Sequence, residues 1–227
     1  MSNDVFGLSE GESWLPSGDM FFWAMGLISK ALQNRGSALA DRFILDDTDI
    51  GYLYLTSWAM DEFKEVHSAV MEAFEEKLRE LLGNADLGMG YMVYAHRLAE
   101  LKALVRADPR SGDAQAVAEY GLILPNQKRW QAKGWVMDFV LESLTIRATK
   151  QSKRTDILLK YRTTELPGHE DRRLSDALDA EMLEILREIH EVYVMRGWSI
   201  CVSTRFQQDL YPKIEELVRI VAARGQE

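Results

Sequence analysis

One cysteine, five prolines and four histidines in 227 residues leave little of what disulfide-stapled or metal-built domains need. Cys201 alone cannot close an intramolecular disulfide, and no Cys/His cluster of zinc spacing accompanies it, so a reducing, cytoplasmic setting is expected. Cations are also scarce. Lys and Arg number 27 against 36 Asp and Glu, and the formal net charge of −9 excludes a generally basic nucleic-acid coat. Apolar runs are short as well. Met20 to Ile28 is interrupted at Ser29 and Lys30, whereas a membrane-spanning helix needs roughly 20 apolar residues. Residues 1–18 contain acids but no Lys or Arg, so they lack the basic start of a secretory signal.

What is present is apolar mass. A hydrophobic content of 47%, with six Trp, eight Tyr and eight Phe, builds a sizeable core and is too high for a disordered polymer. No long Pro/Ser/Gly linker divides it, and no repeat or low-complexity tract is visible. The expected organisation is therefore an irregular extension over 1–18 and one helical domain over 19–227, with a sub-boundary in the loop 106–113, where Asp108-Pro109 and Ser111-Gly112 fall.

Between the prolines, periodicity favours helices. Ser17-Gly18-Asp19 before Met20 and Arg35-Gly36 at the end pair an N-cap with a glycine stop, predicting a helix over 20–35. Ala59, Phe63, Val66, Val70, Phe74, Leu78 and Leu81 follow one another at steps of three or four, an amphipathic helix over 59–82. Further helices are expected over 91–105, 114–120, 130–148 and 174–195, and from Pro212 to the residues before Gly225. Ile157-Leu158-Leu159 fits a strand or a helix equally. Trp198 to Phe206, rich in β-branched residues, reads as one short strand or an irregular bridge. The fold class expected is an all-α bundle of about seven or eight helices.

The charge is unevenly placed. Residues 1–100 hold 17 acids and 7 bases, whereas 101–227 hold 19 acids and 20 bases. On the 59–82 helix, Glu65, Glu72, Glu76 and Glu80 line one side, and their i,i+4 like-charge pairs disfavour an isolated helix by a few tenths of a kcal/mol each. A cationic partner would relieve them; plain solvation is the blander alternative. The opposite feature is a basic run of Arg147, Lys150, Lys153, Arg154, Lys160 and Arg162, which suits phosphates. It lacks interleaved aromatics, and net −9 opposes a polyanion, so nucleic acid is not the favoured partner.

Catalytic signatures are sparse. No Glu-x-x-His, Gly-rich phosphate loop or Gly-x-Ser-x-Gly elbow occurs, no metal ligands are assigned, and no cofactor is expected. His67 and His190 fall on or beside apolar faces and read as core or boundary histidines. Asp138 and Glu142 stand one turn apart on the narrow polar stripe of an otherwise apolar helix. They are an acid/base pair if buried together, and ion-pair partners for a neighbouring helix otherwise. Arg162 and His169 have a spacing that resembles the Arg-x4 to x6-His element of HEPN-type ribonucleases. That resemblance implies a helical RNA-cleaving or phosphate-ester-binding enzyme, with Arg162 steadying charge on the phosphate, His169 exchanging a proton and Lys160 assisting. Pro167-Gly168 interrupts the spacer, Thr163 stands where a polar amide or acid often follows the Arg, and nothing else of the family's pattern is present.

The reading favoured by the sequence is a non-enzymatic intracellular protein of accessory, adaptor or inhibitor type. It would bind another protein, or a second copy of itself, with no membrane involved. The expected interface is the acidic helix face together with Trp14, Phe21, Phe22 and Trp23, more apolar surface than one helix buries alone. The enzyme using Arg162 and His169 is one alternative. A helical small-molecule sensor with an apolar cavity near Trp135, Met137 and Phe139 is the other.

Overall fold

The computed structural model describes residues 4–44, 52–84, 89–124, 128–148, 163–165, 171–174, 179–195 and 200–223. It is mostly helical but mixed α/β, which corrects the all-α expectation. The chain divides into two compact units. The first comprises Met1–Asp113 with Ile200–Thr204, and the second Ala114–Ser199 with Arg205–Glu227.

The first unit opens with a hairpin, β1 (Val5–Ser9) and β2 (Glu12–Trp14), in the stretch expected to be irregular. β3 (Tyr52–Tyr54) pairs with β1 in parallel, and β8 (Cys201–Ser203), in the stretch read as strand or bridge, pairs with β2 antiparallel. The resulting order is β3-β1-β2-β8. Alternation of side chains then sorts the sheet into two faces. Phe6, Leu8, Trp14 and Cys201 point inward and are buried. Gly7, Ser13, Val202 and Tyr54 share the outer face, where Val202 and Tyr54 are 53% exposed. A Cβ on Gly7 would lie 2.5 Å from the Tyr54 ring, so the glycine lets that ring rest against the strand.

Three helices build the rest of this unit: α1 (Gly18–Asn34), α2 (Met60–Gly83) and α3 (Met89–Ala107). α2 is amphipathic as its periodicity demands, with Phe63, Val66, Val70 and Phe74 inward, and α1, apolar around most of its circumference, buries Met20, Phe21, Ala24, Ile28 and Leu32. α3 packs against α2 and strands β2 and β8, and from Leu98 to Asp108 every residue is buried. Arg110 ties these parts together. Its guanidinium donates to the Leu8 carbonyl (2.7 Å), the Leu55 carbonyl (2.6 Å) and both Asp108 carboxylate oxygens (3.0 Å each), and lies 4.2 Å over the Phe63 ring.

In the second unit α4 (Ala114–Val117) leads into β4 (Glu119–Ile123), which pairs antiparallel with β5 (Arg129–Lys133). β6 (Thr163–Glu165) and β7 (Asp171–Leu174) complete the order β5-β4-β7-β6. α5 (Gly134–Ala148) is buried on most sides through Trp135, Val136, Met137, Phe139, Val140, Leu144 and Ile146. It packs against α6 (Asp179–His190), which in turn packs against α7 (Tyr211–Ala222). All of Arg129–Lys133 but its first residue falls within the 130–148 helix expected from the sequence, and it is a strand instead. Its alternation, with Trp130 and Ala132 buried and Arg129 and Gln131 exposed, has the two-residue period of a half-buried strand and too few residues to stand out beside the helix that follows. The strands are three to five residues long, too short for a two-residue period to stand out, and β3, β7 and β8 find partners far away in sequence, which is why the sequence pointed only to the stretch of β8.

Candidate functional site

The candidate site is a groove on the first unit, between α1 and the 3-10 turn Ala38–Phe43 that folds back along it. Phe22, Met25, Gly26, Ser29, Lys30 and Gln33 recur at helical spacing and form one strip of α1. Ser29 donates its hydroxyl to the Ala40 carbonyl (3.0 Å), and Ser37 caps the turn by accepting from the Leu39 amide (3.2 Å). These bonds hold Phe43 and Ile44 opposite the strip. The enclosed space is about 270 Å³. Phe43 is buried, Ile44 is 59% exposed, and no heavy atom comes within 4 Å of where a Gly26 side chain would begin.

Lys30 at the groove's edge is paired, as are the charges that join α1 and its turn to α2. Lys30 Nζ meets Glu76 at 3.2 Å, and Arg35 donates to Glu72 from Nε (2.9 Å) and Nη2 (2.7 Å) as well as to the Ser68 carbonyl. Arg42 faces Glu62 at 3.2 Å and lies over the Trp58 ring, while Ser37 donates its hydroxyl to Glu65. Glu80 pairs with Lys77 on its own helix at 2.6 Å. That bond, helped by the Tyr91 hydroxyl, holds the Glu80 carboxyl below its usual range. Glu65, Glu72 and Glu76 of the acidic stripe are therefore matched from α1 and its turn by cations and a hydroxyl, and Glu80 from within α2. Each exposed pair contributes at most about 1 kcal/mol, enough to orient the groove wall without dominating the fold.

Of the four aromatic residues expected at an interface, Trp14 and Phe21 are completely buried in the first unit. Trp23 is half-buried against Tyr94, with ring centroids 5.2 Å apart, and Phe22 lines the groove. Met25, Gly26, Lys30, Gln33, Phe43 and Ile44 were missed. The available signal was a glycine on the outward side of an otherwise strong helix, flanked at helical spacing by Phe22 and Lys30.

A second charged cluster lies along the seam of α2 and α3. Arg106 Nε donates to Asp113 at 2.9 Å, and His67 Nε2 lies 3.9 Å from the same carboxylate oxygen. Burial lowers the His67 pKa; Asp113 opposes that shift, and Arg106 and Lys102 add to it. The Lys102 ammonium is buried over the Phe74 ring (4.3 Å) and reaches Glu75 at 3.5 Å, while fully buried Glu100 accepts from Arg97 at 2.7 Å.

In the second unit, Asp138 and Glu142 are half-buried on α5, and Arg147 pairs with Glu188 at 3.0 Å. Trp135, Met137 and Phe139 are buried; Phe206 stacks on Trp135 at 5.6 Å, and Tyr193 meets Phe139 edge-on at 5.7 Å, so these rings fill one another's surroundings. Lys150, Lys153, Arg154, Lys160, Arg162 and His169 lie outside the described residues. Among the described residues no group of three or more His, Cys, Asp or Glu side chains could hold a metal ion, and no helix is long and apolar enough to cross a membrane. No family model, curated protein or solved structure matches the chain.

Proposed function

We propose that the protein acts by binding another protein, in an accessory, adaptor or inhibitor role, and that the groove between α1 and the Ala38–Phe43 turn receives the partner. The observation that carries this reading is the groove's apolar lining of Phe22, Met25, Phe43 and the 59% exposed Ile44, set inside a polar rim. At about 270 Å³ it lies at the lower end of small-molecule pocket volumes, roughly 300–1,000 Å³, and suits one or two apolar anchor side chains of a peptide segment. Lys30, Gln33 and Glu76 supply the surrounding hydrogen-bonding groups that such an anchor needs to fix its register. A partner of this chemistry presents an apolar anchor flanked by polar residues.

A photo-crosslinking amino acid placed at position 26 tests the reading in the producing cell. The expected result is a discrete adduct with a second protein that disappears when Ile44→Asp is added. A folded protein that yields no adduct, or one indifferent to Ile44→Asp, would overturn it.

A further inference from the structure

On the reading of the groove as a partner's anchor site, we infer that the partner enters by its C-terminal residue. The apolar side chain of that residue seats against Phe22, Met25 and Phe43, and its terminal carboxylate meets Lys30. Among the described residues, those lining the groove include one cation, Lys30, and no Asp or Glu. Lys30 and Gln33 stand one turn apart on the same strip of α1, so an ammonium and a side-chain amide offer donors at one end of the apolar lining. A carboxylate is the group suited to both, with two accepting oxygens and a full charge for the ammonium.

In the free protein Lys30 is held by Glu76 at 3.2 Å, and that partner is readily exchanged. The two side chains are 60% and 43% exposed, and a pair so open to water contributes little. A carboxylate seated beside the apolar lining is less screened, so the same attraction counts for more there, while Glu76 returns to solvent. The spacing selects the end of a chain over an acidic side chain within one. Gly26 precedes Lys30 by one turn, with no heavy atom within 4 Å of where its side chain would begin, so the main chain of a ligand can come close to α1 beside the ammonium. In an extended segment the side chain after the anchor points to the opposite face, away from the groove. A docked helix brings several anchors, at i, i+3 or i+4 and i+7, more than about 270 Å³ accepts. A terminal residue carries the apolar side chain and the carboxylate on one Cα.

Methyl NMR of the full chain, following the Ile44 resonance through titrations, tests this with three probes. They are N-acetyl-leucine, which ends in a carboxylate, N-acetyl-leucinamide, which does not, and a dipeptide amide in which aspartate follows N-acetyl-leucine. N-acetyl-leucine is expected to bind at least about fivefold more tightly than either amide. Lys30→Gln should abolish that preference and leave the weaker binding of N-acetyl-leucinamide. Glu76→Gln removes the competing carboxylate and should widen the preference by about twofold. Both altered side chains are largely in water, so the fold does not depend on either. Three results overturn the inference and leave the apolar groove standing: N-acetyl-leucine binding no better than either amide, a preference that survives Lys30→Gln, or one that fails to widen in Glu76→Gln. An Ile44 resonance unmoved by every probe overturns it together with the anchor-site reading.

Discussion

Among single residues, Arg110 has the most to lose. It satisfies two backbone carbonyls and the Asp108 carboxylate, which is 2% exposed, so Arg110→Ala takes a cation from a buried charge and the donors from both carbonyls. The expected cost is about 3 kcal/mol in urea unfolding, and Arg110→Lys should recover little of it, since an ammonium lacks the planar fork that reaches all four oxygens. His67 makes stability depend on pH. Its folded-state pKa lies below the ordinary value of 6.5, so the unfolded chain takes up the proton more readily. Stability is then expected to fall as pH drops below about 6.5, and His67→Gln should flatten that part of a stability-versus-pH curve. Neither role was legible in the sequence, because the groups that decide it come from other elements. Arg110 accounts for residues 55 and 102 positions away, and His67 is governed by Asp113, Arg106 and Lys102.

At the scale of elements, two glycines of the first unit should respond oppositely to the same change. Gly26 sits in the interior of α1 with open space where a side chain would begin, so Gly26→Ala should stabilise by about 0.5–1 kcal/mol. Gly112 follows the Pro109–Ser111 turn at φ +66°, where Gly112→Ala should cost about 1 kcal/mol. Paired thermal melts of the two variants check the signs. The helices themselves were largely readable: 20–35 became Gly18–Asn34, 59–82 became Met60–Gly83, and 91–105 became Met89–Ala107. Among the described residues of the 174–195 stretch, a helix runs over Asp179–His190 and a π-helical turn over Glu191–Met195, while Asp171–Leu174 is a strand. The hydrophobic pattern around Leu174 carried no sign that parallel pairing with Gly121–Ile123 would take that segment.

For the whole molecule, the two units are not consecutive halves of the chain, because Ile200–Thr204 returns to the first unit and supplies β8. A chain cut after Asp113 loses that strand, the Ser203 hydroxyl on buried Glu12, and the backbone bond from the Leu15 amide to the Ile200 carbonyl. It should show less structure by far-UV circular dichroism than the first unit within the full chain, and a lower unfolding midpoint than the same segment with residues 200–204 joined through a short linker. The sequence by itself determined where the three long helices of the first unit run and which side of α2 faces inward, because a helix's hydrogen bonds and side-chain rows close within four residues. Only the tertiary structure decided the mixed α/β class, the burial of Trp14 and Phe21, and the matching of Glu72 and Glu76 with Arg35 and Lys30. The two ion pairs join residues 37 and 46 positions apart and β2 meets β8 across 191, and no local pattern encodes which distant segment will arrive.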